Sequence, residues 1–327
     1  PICLAAIIAA TGTVGFAGSS LKAPLSVTAA DDTNDDWLHC EGSRIFDKDG
    51  NEVWLTGANW FGFNCSENCV HYLWSADVDD VLQEIADHGI NIIRFPIATE
   101  LLVSWMNGEP LPVNSVQASF DPPVDQIGED GTVTPAGKYG DINRDFVLED
   151  GKTLKNSMQI FDIIMQKCKK YGIKAFIDIH SPHTDNSGHN YNLWYGKAGV
   201  TTKVWIDTLV WLADKYKNDD PLLAFDLKNE PHGKASETPH AIWNDSDDPN
   251  NWKTVAEKAG KAVLNENPNA LIVIEGIQIY PQDIKSNNFR STDDGDYYNT
   301  WWGANLMAVR DYPIDFGSEE LNKQIVY

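Results

Sequence analysis

The sequence predicts an α/β fold, a parallel (β/α) barrel entered through an N-terminal β-hairpin. Three observations predict it. Short apolar runs alternate with segments of helical periodicity from Leu55 onward. Reactive side chains fall where those runs end, and in such a barrel the strand ends form the rim that carries chemistry. No linker or composition shift divides the chain, so residues 30–327 read as one domain.

The elements follow in order. Ile45-Phe46, Asp49-Gly50 and Val53-Trp54-Leu55 read as a hairpin. A first barrel strand runs from Leu55 to Asn59. Asp77 opens a helix whose apolar face is Val78, Val81, Leu82 and Ile85, and Gly89 supplies its stop. Ile90 to Phe95 form the second strand, ending at Pro96. A long polar connection from about Leu101 to Lys155 reads as an insertion. A helix with Ile160, Phe161, Ile164, Met165 and Cys168 ends at Gly172, and a third strand, Lys174 to Ile179, delivers His180. Trp205, Leu209, Leu212 and Tyr216 mark the next helix. Leu222 to Leu227 form the fourth strand, which gives way to Asn229-Glu230-Pro231. Val255, Ala259 and Val263 mark a helix before the fifth strand, Leu271 to Ile274, which ends at Glu275.

The formal charge is −23, which disfavours nucleic acid and anionic membrane as partners and is compatible with a neutral polymer. Twelve Trp and eleven Tyr suit stacking on the apolar faces of sugar rings, although most are expected in the core. Residues 1–29 read as a signal-peptide remnant: an apolar run from Ile2 to Gly15 precedes a Val27-Thr28-Ala29 site, so the protein is expected to be secreted. Cys65 and Cys69 are the expected disulfide pair and Cys168 a buried thiol. No CxxC or His/Cys zinc spacing is present, so no metal is expected. The acidic clusters Asp245–Asp248 and Asp293–Asp296 lack an EF-hand's ligand spacing and read as solvated loops. Asn64 and Asn244 lie in Asn-x-Ser sequons.

Arg94, His180, Asn229 and Glu230 sit at or just before strand ends, where a barrel gathers them into one ring. A guanidinium, an imidazole and an amide around a carboxyl can orient hydroxyls and hold a second carboxylate ionised. A structural ion pair for Arg94 and a core histidine for His180 are the alternatives for each residue taken alone.

Several segments resemble glycoside hydrolase family 5, in its cellulase-type branch. They are Leu55-Thr56-Gly57-Ala58-Asn59-Trp60-Phe61-Gly62, Ile93-Arg94-Phe95-Pro96, Phe176-Ile177-Asp178-Ile179-His180, Leu193-Trp194-Tyr195, Phe225-Asp226-Leu227-Lys228-Asn229-Glu230-Pro231-His232 and Trp301-Trp302-Gly303-Ala304-Asn305-Leu306. The resemblance implies a retaining hydrolase of β-1,4-linked glucans that works by two-carboxylate double displacement and uses no cofactor. It makes Glu230 the acid/base, Asn229 the ligand of the sugar 2-hydroxyl, Arg94 the partner of the nucleophile and His180 a lining residue. Trp60, Trp194, Trp301 and Trp302 become candidates for sugar stacking.

The family pattern also calls for a sixth strand with His-x-Tyr, a seventh ending in the nucleophilic Glu and an eighth ending in Trp. Gln324-Ile325-Val326-Tyr327 reads as the start of the sixth, so the resemblance implies a (β/α)8 TIM barrel truncated after about the fifth or early sixth strand. The nucleophile is therefore expected to lie outside this sequence, Arg94 to lack its carboxylate partner, and this chain alone to be inactive. Glu275 is the one internal replacement, since neighbouring strands stand only about 4.8 Å apart; the family order places it instead before a substrate-side loop, and it is grouped with the substrate-binding residues. A β-mannanase or mixed-linkage glucanase, and a non-catalytic carbohydrate-binding protein, are the competing functions.

Overall fold

A computed structural model of the chain describes residues 36–116, 126–134, 142–151, 153–188 and 190–327. The apolar run and cleavage site within residues 1–29 lie outside the described residues.

The chain opens with an antiparallel hairpin, β1 (His39–Glu41) and β2 (Arg44–Phe46). Phe46 then bridges back to Glu52, so the Asp47–Asn51 turn sits one step later than this hairpin. There follow β3 (Gly57–Asn59), α1 (Val78–Asp87), β4 (Ile92–Ala98) and α2 (Thr99–Met106). The long connection carries a two-stranded ribbon, β5 (Gln126–Ile127) with β6 (Val133–Thr134), and leads to α3 (Ser157–Lys170). Then come β7 (Lys174–Ser181), α4 (Thr202–Tyr216), β8 (Leu222–Asp226), α5 (Trp252–Glu266) and β9 (Leu271–Val273). A second ribbon of β10 (Ile279–Pro281) and β11 (Tyr297–Asn299) precedes α6 (Met307–Asp311), α7 (Glu319–Asn322) and β12 (Ile325–Val326).

Six strands form one parallel sheet in the order β3-β4-β7-β8-β9-β12, each new strand laid beside the last. Local chemistry explains the helices. The Asp77 side chain accepts from Asp79 N to start α1, and Asn156 with Gln159 forms a reciprocal capping box on α3. Gly89 and Gly172 end these helices at positive φ, where a side chain would be strained.

Two expectations are corrected. The connection after β4 is not purely an insertion, because α2 buries Leu101, Leu102 and Trp105 against the barrel. Nor does Pro96 end the strand. Arg94 O accepts from Trp60 N on the β3 side at 2.9 Å, and Pro96, two residues on, faces that same side. The β3 ladder stops at Asn59, so the missing Pro96 N–H forfeits no ladder bond there.

Strand alternation sets the layers. Ile93, Phe95, Ile97, Ala175, Ile177 and Ile179 join the main core with the helices. Ile92, Phe176, Ala224 and Leu271 face the other way, into a second cluster closed by Leu38 and Cys40 of the hairpin region. The hairpin therefore covers the strands' N-terminal end and leaves the C-terminal end to the reactive residues. Among the described residues no helix is long and apolar enough to cross a membrane.

Candidate active site

The alternation that buries Phe95 and Ile177 among the helices turns Arg94, Asp178 and His180 to the opposite face of the sheet. Arg94 has three carboxylate partners there. Its Nη1 lies 2.9 Å from Asp178 Oδ2, and its Nη2 lies 2.6 Å from Asp226 Oδ2 and 3.1 Å from Glu275 Oε1. Nη2 also donates to Asn229 Oδ1 at 2.9 Å. Arg94 is thus well supplied with carboxylates other than the family's nucleophile: β7 and β8 each send one to it, and Glu275, just past β9, sends a third. Asp178 Oδ2 also takes His180 Nδ1 at 2.8 Å, which fixes the imidazole's orientation.

Glu230 follows the end of β8 with a left-handed backbone, φ +45°, a conformation that costs a non-glycine residue roughly 1–2 kcal/mol. Its surroundings hold it there. Glu230 N donates to Glu275 Oε2 at 2.8 Å, and Glu230 O pairs with His232 Nδ1 at 2.6 Å. Its carboxylate is surrounded by donors: Oε2 accepts from Asn190 Nδ2 at 3.1 Å and Asn229 Nδ2 at 3.3 Å, and Oε1 from Trp301 Nε1 at 3.2 Å. Asn229 in turn is pinned by its own N–H to Ile179 O, 3.0 Å away.

A buried cation lies beneath this turn. The fully buried Lys228 donates to Asn190 Oδ1 at 2.6 Å, to His180 O at 3.2 Å and to Asn229 O. Burial pulls its ammonium down to about 8, against the pull of Asp178, Glu275, Asp226 and Glu230. Burial, with Asp226 beside it, pushes the Glu275 carboxyl well above the ordinary carboxylate range. Burial raises Asp226 too, whereas at Asp178 Arg94 and His180 outweigh burial and hold the carboxyl low.

The four tryptophans separate into two kinds. Trp301 is 74% exposed, and Trp302 beside it stacks on His232 with centroids 4.0 Å apart at 6°. Together they form an aromatic face next to Glu230. Trp60 and Trp194, expected to stack on sugar, are corrected to core residues. Trp60 is 8% exposed, lies on Phe95 and donates Nε1 to His71 O; Trp194 is 0% exposed between Trp205 and Trp252 and donates to Thr202 Oγ1. Glu275, grouped with the substrate ligands, has both oxygens engaged by Arg94 and by Glu230 N.

Other expectations also change. Cys65 and Cys69 are separate buried thiols, as is Cys168. Both sequon asparagines are buried, Asn64 bonded to Gly188 O and Asn244 to Asn288 Oδ1, so neither amide is presented to a glycosylating enzyme. Among the described residues, one His/Cys/carboxylate group has metal-ligand proximity, Cys65 with Glu67 and His71. Sequence reasoning passed over Asp178, Asp226, Lys228 and Asn190. The first three carried a signal, a charge inside an otherwise apolar run; Asn190 carried none.

Residues 46–327 match the model of the cellulase family, glycosyl hydrolase family 5. The chain is 55% identical over 322 residues to endoglucanase G of Acetivibrio thermocellus, covering 93% of this chain and 54% of that protein. To endoglucanase B of the same organism it is 42% identical, covering 90% of this chain and 48% of that protein. The chain thus spans about half the length of these relatives. A crystal structure of an endocellulase from Pyrococcus horikoshii in complex with cellotetraose superposes with a TM-score of 0.66 at 26% identity, over 90% of this chain and 69% of that one. The chain belongs to glycosyl hydrolase family 5.

Proposed function

We propose that this family 5 chain supplies the acid/base side of a secreted endo-β-1,4-glucanase that works by retaining double displacement. The observation that carries the reading is the Glu230 carboxylate, held at the barrel rim by Asn190, Asn229 and Trp301 beside an exposed indole. A sugar ring stacked on Trp301 would bring its glycosidic oxygen to Glu230, which protonates the leaving oxygen and later deprotonates water. Asn229, its amide shared between Arg94 and Glu230, takes the sugar 2-hydroxyl, a contact that strengthens as positive charge develops on the ring. His180, aimed by Asp178, lines the same subsite.

Arg94 gathers the carboxylates into fixed positions, and Glu275 positions the strained Glu230 turn. With both its oxygens engaged, Glu275 fits a positioning role better than a nucleophilic one. Double displacement needs a second carboxyl about 5–5.5 Å from the first. The family pattern assigns it to a seventh strand. The apolar run near residue 2 and the site ending at Ala29 support export.

The test is turnover by the full-length protein and its Glu230→Gln variant on carboxymethylcellulose, mixed-linkage glucan and β-mannan. The fastest rate is expected on carboxymethylcellulose, with a loss on the order of 10³-fold in the variant. Azide should restore the variant's turnover of an activated aryl cellobioside and give the β-glycosyl azide. Undiminished activity in the variant, or a faster rate on mannan, would sink the assignment.

A further inference from the structure

We infer that the loop between β3 and α1 holds a zinc-class metal ion on Cys65, Glu67 and His71. One ligand atom from each residue, a thiol sulfur, a carboxylate oxygen and an imidazole nitrogen, lies within 4.8 Å of the others. Two polar atoms of this trio are left unsatisfied. Glu67 Oε2 and His71 Nε2 are shielded from solvent and have no hydrogen-bond partner among the described residues. The His71 Nε2 to Glu67 Oε1 separation of 3.9 Å is beyond hydrogen-bond reach. Buried polar atoms are nearly always paired, so two of them beside a buried thiol call for a partner. A cation accepting all three lone pairs supplies one.

The donor set selects the metal. Calcium and magnesium take oxygen ligands, whereas sulfur with imidazole and carboxylate suits Zn2+. With bonds of roughly 2.0–2.3 Å, tetrahedral zinc ligands stand about 3.5 Å apart, so each side chain need move inward by under about 1 Å. Three protein ligands leave the fourth position to solvent.

The backbone already holds these residues without metal. Cys65 N donates to Gly62 O at 3.0 Å, Ser66 N to Asp185 O at 3.2 Å, and His71 N to Phe61 O at 2.8 Å. Gly62, at φ +141°, lets the loop fold onto itself, since a Cβ there would lie 2.8 Å from Val70 Cα. The spacing Cys-x-Glu-x3-His escapes a search for paired cysteines and histidines, because a carboxylate replaces one of them. A bound ion would brace the loop that presents the exposed pair Tyr72 and Trp74, whose rings lie 6.4 and 5.8 Å from that of His71.

The experiment uses the full-length protein, purified under reduction, with Zn2+ affinity read by competition against a chromophoric chelator and Co2+ as a spectroscopic probe. Removing a ligand should weaken Zn2+ binding on the order of 100-fold or more in Cys65→Ser and in His71→Gln, and leave it unchanged in Cys168→Ser. The Co2+ form should show a thiolate-to-metal charge-transfer band that Cys65→Ser abolishes. Should Cys65→Ser fail to fold, Glu67→Gln carries the same affinity test. Equal Zn2+ affinity in the wild type and the ligand variants, or a Cys65–Cys69 disulfide mapped in the isolated protein, would overturn the site.

Discussion

Gly303 is the position where the smallest possible change should do the most damage to the acid/base. A methyl added there would lie 2.9 Å from Glu230 Cα, 3.4 Å from Glu230 Cγ and closer still to Glu275 Oε2. Ordinary carbon contacts begin near 3.5 Å, so these atoms must separate by roughly 0.5 to 1 Å. Both escapes harm the site. If Glu275 swings away, it breaks the 2.8 Å bond from Glu230 N and leaves that N–H without its partner, at a cost of about 1–3 kcal/mol. If Glu230 moves instead, its carboxylate leaves Asn190 and Trp301, and a displacement near 1 Å can cost about 100-fold in rate. Overpacking of this kind destabilises by about 1–3 kcal/mol, or roughly 2–4 °C in Tm per kcal/mol for a domain of this scale. Steady-state kinetics on a soluble cello-oligosaccharide, paired with a melting curve, read both effects in the full-length Gly303→Ala protein. The expected result is a kcat lower by about 100-fold with KM little changed. Activity within threefold of wild type would refute the claim that Gly303 is needed for close approach to Glu230.

Trp301→Ala removes an exposed stacking face and one Glu230 donor, so kcat/KM should fall at least 3- to 10-fold, about 0.5–1.5 kcal/mol, with Tm unmoved. Trp194→Ala should instead cost about 3–5 kcal/mol of stability, because its indole is fully buried among Trp205 and Trp252; an unshifted Tm would contradict its core placement. For Lys228 the sign follows from a folded value near 8 against an ordinary 10.5. Between those values the unfolded chain binds more protons than the folded one, so this group's contribution to stability rises with pH. Wild type should therefore gain on Lys228→Met by up to about 3 kcal/mol across that window in denaturant titrations, and a constant difference would show that the ammonium is not depressed.

The parallel order of the sheet was legible because strand and helix periodicities differ and each helix carries local start and stop chemistry. Asp77 and Gly89 bracket α1 by bonds made within a few residues. Helix α2 was not legible: its N-cap, Ala98, makes no side-chain bond, and its apolar residues Leu101, Leu102 and Trp105 stand at the head of a polar connection. Pro96 looked like a terminator because a proline's effect depends on whether a neighbouring strand needs its N–H, and β3 ends before that point.

Within the candidate site, sequence alone determined that His180, Asn229 and Glu230 end up at one rim, since each is tied by covalent spacing to the end of a strand. Arg94, expected there too, lies inside β4, four residues before its end at Ala98, and its long side chain reaches Asn229 from there. Only the tertiary structure decided what they touch. Asp178 and Asp226 reach Arg94 from two other strands and Glu275 from just past a third, contacts 84 to 181 residues apart that no local pattern encodes. It also decided which tryptophans meet solvent, because Trp194 and Trp301 are the same residue type and differ only in what the fold lays over them. Local spacing fixes where a side chain starts; burial, charge partners and exposure are set by distant segments packing against it.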